Sequence, residues 1–147
     1  MSIKIPTEWF DQAEYDIETA KCLLDGRRYI YAVFMCHLAL EKALKGLYTA
    51  KYDAVPPKSH NLLFFLEKIN CDFEKNISDF VYNINELSIP TRYPEVLREM
   101  AKKYTGESAA EMFKNSKEVL LCCKKELQKL QNISEDNLKN PESGSAN

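Results

Sequence analysis

"RYIYAVFMCHLALEKALKGLYTAKY", residues 28–52, decides the fold. Ala32, Cys36, Ala39, Ala43, Gly46 and Ala50 recur at steps of four, three, four, three and four, the period of one helical face. A face built from such small residues lets a second helix approach closely, either at the centre of the core or across a two-fold interface. Pro56 and Pro57 close the pattern.

The same period extends to both sides. Upstream, Trp9, Ala13, Ile17, Ala20 and Leu24 define an amphipathic helix over about 6–25, with Pro6 near its start and Gly26 just past its end. Downstream, "KSHNLLFFLEKI" predicts a short helix with Ser59 as N-cap and Leu62, Leu63, Leu66 and Ile69 facing inward. A fourth helix over about 73–88 presents Phe73, Ile77, Phe80, Val81, Ile84 and Leu87, and stops at Pro90. A fifth starts near Gly106, with Ser108 and Glu111 at capping-box spacing. Its stripe is Ala109, Met112, Ser116, Val119, Cys123, Leu127 and Leu130. The expected architecture is an all-α bundle of four to five helices over residues 1–131, with 132–147 a disordered polar tail.

Composition narrows the function. The net charge is −2, and Glu135, Asp136 and Glu142 against Lys139 account for it, leaving residues 1–131 neutral. A duplex DNA binder usually carries a basic excess, so that class is disfavoured. No apolar run approaches the ~18 residues a membrane helix requires, and "MSIKIPTEWF" lacks the apolar centre of a secretory signal. Five cysteines, none in a CxxC pair, fit reduced thiols in a cytoplasmic protein better than a disulfide scaffold or a zinc site. There is no Gly-rich phosphate loop and no metal-ligand cluster, so neither cofactor nor metal is expected.

A small polar set remains. His37, Glu41 and Lys45 share one helical face at i, i+4 and i+8, and Glu41 before Lys45 is the favourable order for an ion pair of ~0.3 kcal/mol. The set reads either as structure or as a phosphate-binding charge, Lys45, beside supporting His37 and Glu41. His60 stands at a helix start, where an imidazole supports the backbone or meets a ligand. In "SIPTRYPEVLREM", residues 88–100, Pro90 and Pro94 hold Thr91, Arg92 and Tyr93 out of a helix. Arg92 offers forked donors suited to phosphate, and Tyr93 a ring suited to a base or ribose, unless Arg92 caps the fourth helix.

These segments resemble the HEPN domain family, helical domains named for nucleotide binding in prokaryotes and higher eukaryotes. The likeness rests on an ordered set over about residues 7–130: "WFDQAEYDIETAKCLLDGRRYIYAVFMCHLALEKALKGLY", "KSHNLLFFL", "TRYP" and "ESAAEMFKNSKEVL". It implies a helical bundle that pairs as a homodimer, with a polar site facing the cleft between protomers. It also implies a minimal nucleotidyltransferase partner in a toxin–antitoxin-like system. Other members are metal-independent ribonucleases with an arginine followed, after four to six residues, by a histidine. Here those places after Arg92 hold Leu97, Arg98 and Glu99, and neither His37 nor His60 follows any arginine at that distance.

The expectation is therefore a non-catalytic protein that binds a nucleotide or RNA phosphate through Arg92, Tyr93, Lys45, His60 and Arg98, with Glu41, His37 and Thr91 in support. The alternatives are an endoribonuclease toxin with a degenerate site, using His60 or His37, and a purely structural interaction module.

Overall fold

α2 (Tyr29–Tyr52) is the axis around which the chain folds. At 1.5 Å per residue it is ~36 Å long, and between Cys36 and Thr49 it is buried on nearly every side. A helix of that kind must be wrapped by neighbours. In the computed structural model, which describes residues 5–86 and 94–139 and only the backbone of Pro94, Val96 and Leu97, those neighbours are α1, α3, α5 and α6. The described residues form six helices and no strand: α1 (Pro6–Asp25), α2, α3 (Leu62–Ile69), α4 (Lys75–Asn85), α5 (Pro94–Lys103) and α6 (Gly106–Lys139). The all-α expectation holds. No helix among the described residues is long and apolar enough to cross a membrane.

α1 packs antiparallel on α2 through a short turn, and the small-residue ridge explains how closely. A Cβ built on Gly46 would lie 2.8 Å and 2.9 Å from ring carbons of Phe10, and 3.1 Å from Cβ of Trp9. Ala32, Cys36, Ala39 and Ala43 are buried within the same chain. Of the two uses open to the ridge, it serves the core. Asp16, buried on α1, and Lys42 on α2 add an ion pair of 2.7 Å.

The turn itself departs from expectation by one residue. Arg28 N–H donates to Leu23 O at 2.8 Å and Arg27 N–H to Leu24 O at 3.1 Å, the paired closure of a Schellman motif. The left-handed position of that motif falls on Arg27, at φ 61°, whereas Gly26 has an ordinary φ of −82°.

α3 is held from outside. Asn61, not Ser59, caps it, accepting from Leu63 N–H at 3.0 Å; the Ser59 hydroxyl instead accepts from Asn61 N–H at 3.1 Å. Asn85 at the end of α4 accepts from Leu62 N–H at 2.7 Å and donates to the Asn61 side chain at 3.2 Å. At the other end, Lys51 donates to Ile69 O at 2.6 Å and the Tyr52 hydroxyl to Lys68 O at 2.5 Å. The face α3 buries is Leu62, Phe65 and Ile69; Leu63 and Leu66 are half-buried.

Two further boundaries differ from the sequence reading. Residues 94–103 form α5, because Pro94 serves as the first residue of a helix, where its missing N–H costs nothing; Met100 and the following Tyr104 are buried against the core. α6 is capped one turn early: Ser108 N–H meets the Thr105 hydroxyl at 3.3 Å, and Thr105 N–H donates to the Ser108 hydroxyl at 2.9 Å. Asn132 to Lys139, expected in a disordered tail, are the exposed last turns of α6. Residues 140–147 lie outside the described residues.

Candidate functional site

Three residues four apart on α2 rise ~6 Å per step, so His37, Glu41 and Lys45 line one buried edge of that helix. His60 comes from the segment entering α3, which Asn61 and Asn85 fix in place. The two oxygens of the Glu41 carboxylate are divided between the neighbours. Oε1 lies 2.7 Å from Nδ1 of His60, and Oε2 accepts from Nζ of Lys45 at 3.2 Å. Glu41 is 4% exposed, so both contacts act in a medium of low dielectric, where leaving either partner unpaired is costly.

A carboxylate can only accept, which assigns the proton of this contact to Nδ1 of His60 and leaves Nε2 as the free ring nitrogen. The His60 side chain is 63% exposed, so that nitrogen is presented at the surface. Lys45 lies deeper, its ammonium 5.9 Å from the Trp9 ring centre and 5.8 Å from that of Phe65. Both distances suit cation–π attraction. The arrangement is a cation close to two aromatic rings and an exposed imidazole, both held by one carboxylate.

His37 belongs to the cluster but not to its surface. It is 2% exposed, and its Nε2 has no hydrogen-bond partner. Burial pushes its pKa down from 6.5 to about 4, with Glu41 opposing the shift and His60 adding to it. It is a neutral buried group at pH 7 and is out of reach of a ligand.

The four residues His37, Glu41, Lys45 and His60 are thus brought together. Arg98 stands on α5, exposed. Thr91, Arg92 and Tyr93 lie outside the described residues. Sequence reasoning missed Trp9 and Phe65 as walls of the site, since an aromatic residue on an apolar stripe reads as core. Among the described residues, no group of three or more His, Cys, Asp or Glu side chains is placed to hold a metal ion.

The HEPN domain model matches residues 7–127, most of the chain. The chain belongs to the HEPN domain family. Two solved structures share this fold. One is ST0689, an archaeal HEPN homologue, at 26% identity and TM-score 0.70, the match covering 85% of this chain and 99% of that one. The other is TT1696 from Thermus thermophilus, at 26% identity and TM-score 0.72, covering 82% and 97%. A search of the curated proteins gave no match. In this HEPN domain, the Glu41 cluster is carried by α2 and the entry to α3, within the matched region.

Proposed function

We propose that this HEPN domain binds the phosphate of a nucleotide or RNA at the Glu41 cluster, as a non-catalytic homodimer acting with a minimal nucleotidyltransferase partner in a toxin–antitoxin-like system. The observation that carries the binding site is the single buried carboxylate holding both His60 and Lys45. An ammonium and an imidazole held in place by one carboxylate lose less entropy on meeting a ligand than two free side chains do. Arg92 and Arg98 add forked phosphate donors in this reading, and Tyr93 a stacking ring. The homodimer and the nucleotidyltransferase partner follow from the family resemblance.

Calorimetric titration with AMP, ATP and a short RNA tests the site. Saturable binding by the wild type should weaken at least ~tenfold, or ~1.4 kcal/mol, in folded His60→Ala and Lys45→Gln. Unchanged binding in both variants would refute the assignment.

A second reading rests on the same contact. An imidazole oriented through Nδ1 by a carboxylate, with Nε2 exposed, is the arrangement of a general base. In an endoribonuclease, His60 would take the proton from the ribose 2′-hydroxyl as its oxygen bonds to the adjacent phosphorus; the bond from phosphorus to the next nucleotide's 5′-oxygen breaks, that oxygen takes a proton from water, and a 2′,3′-cyclic phosphate remains. Metal-independent cleavage of a labelled RNA that disappears in His60→Ala would select this reading over simple binding.

A further inference from the structure

At the far end of α2 from Tyr52, the α1–α2 turn and the end of α5 enclose an open cleft of about 300 Å³, lined by Arg27, Arg28, Tyr29, Tyr31, Ala101 and Tyr104. Its floor is fixed. Tyr104 is 7% exposed, and the Tyr29 hydroxyl sits over Gly106, where a Cβ would lie 2.8 Å from it. Its rim is open: Arg27, Arg28 and Tyr31 are exposed.

The rim is also positively charged. Neither Arg27 nor Arg28 forms an ion pair among the described residues, and the carboxylate next to them in the chain, Asp25, is engaged by Lys21 at 2.7 Å. Lys103 Nζ stands 5.8 Å from the Tyr104 ring centre. Lys102, its neighbour in the sequence, is exposed. Glu99 and Glu107 are the opposing carboxylates on α5 and α6. They leave a net positive end on a protein whose overall charge is −2.

Arg27 adds an independent observation. It occupies the left-handed position of the Schellman turn, at φ 61°, where glycine is unstrained and a residue with a side chain is not. Gly26 stands one residue too early to relieve it. An arginine in a glycine conformation, unpaired and beside a second unpaired arginine, is the kind of backbone outlier that clusters at ligand sites.

We propose that this cleft is a second binding place for single-stranded RNA. Arg27 and Arg28 take neighbouring phosphates, and Tyr31 stacks on a base, the combination of cation and ring that sequence-tolerant single-strand binders use. The cleft extends the phosphate reading above while depending on different residues. From Arg28 to Glu41 is ~20 Å along α2, so one strand engaging both places runs along the bundle from the Glu41 cluster to the α1–α2 turn.

The test uses the full chain, a fluorescein-labelled oligouridylate read by anisotropy across a salt series, and AMP read by calorimetry. Arg27→Gly should raise Tm by releasing the strained turn, while weakening oligouridylate binding and flattening its log–log salt slope by ~0.7 for each phosphate no longer neutralised. Tyr31→Ala should weaken it roughly fivefold or more, and AMP binding should be unchanged in both. A lower Tm for Arg27→Gly would assign the arginine to the fold and overturn the proposal. So would oligouridylate affinity and salt slope unaltered in Arg27→Gly combined with Arg28→Ala, or binding absent from the wild type. Lys45→Gln separates the two sites. Loss of oligouridylate in Lys45→Gln alone leaves the Glu41 site and removes this one; loss in the arginine variants alone does the reverse.

Discussion

Lowering the pH from 7 to 5 should destabilise this protein mainly through one side chain, His37. In the unfolded chain its imidazole titrates near 6.5; in the folded chain burial holds it to about 4. Between those values the unfolded state binds a proton that the folded state refuses, so stability is complete above 6.5 and is lost as pH falls towards 4. The full interval corresponds to ~3 kcal/mol at 1.36 kcal/mol per pH unit, of which about 2 kcal/mol is gone by pH 5. Glu41 and His60 are the titratable groups that face His37, and both remain in a His37→Leu variant. Leucine has nothing to protonate, and it removes a ring nitrogen, Nε2, that has no partner. Urea unfolding of wild type and variant at a series of pH values isolates the effect, because every other side chain is the same in both. Between pH 7 and 5 the wild type should lose ~2 kcal/mol more than His37→Leu. Parallel curves would refute the reasoning, since His37 would then be taking up its proton in the folded state at an ordinary pH.

Other substitutions probe the packing and the cluster. Gly46→Ala gains up to ~1 kcal/mol of helix propensity but drives a methyl into the Phe10 ring. A net loss of ~1–2 kcal/mol is expected, seen as a Tm lower by several degrees; an unchanged Tm would mean that the ring gives way. Glu41→Ala strips the partner from buried Lys45 and from His60 together and should cost ~3 kcal/mol in urea unfolding. Glu41→Gln, which keeps an acceptor oxygen, should cost visibly less. Asn85→Ala removes the acceptor for Leu62 N–H and should cost ~1–2 kcal/mol, with faster hydrogen exchange at that amide.

Much of the fold is legible in the sequence because α1 and α6 bury stripes and the wrapped α2 carries a continuous ridge of small residues. The ridge on α2 and the stripes of α1 and α6 follow one period over many turns, and tertiary packing uses the faces they mark. Short elements are harder. α5 has ten residues, and Pro94 reads equally as a helix breaker or as a first helical residue. In α3, eight residues long, the cap moves from Ser59 to Asn61 because Asn85 on another helix supplies a partner. The candidate site divides in the same way. That His37, Glu41 and Lys45 share an edge is a local property of α2. That Glu41 binds His60, nineteen positions away, depends on how α3 docks. No periodicity carries such information, nor the fact that Phe65 and Trp9 flank Lys45.

The clamping of α3 has a kinetic consequence. A helix of eight residues does not persist by itself in water, and this one is tied down by Asn85 at its start and by Lys51 and Tyr52 at its end. Its undocking would leave the larger α1–α2–α6 interface standing, which makes it a candidate for low-energy sub-global opening. His60 parts from Glu41 in any such opened form. The time that imidazole spends oriented is then governed by the docking equilibrium of α3, and a ligand that bridges His60 and Lys45 draws on that equilibrium when it binds. Such a ligand would slow amide exchange across α3 while the amides of α1, α2 and α6 keep their own rates.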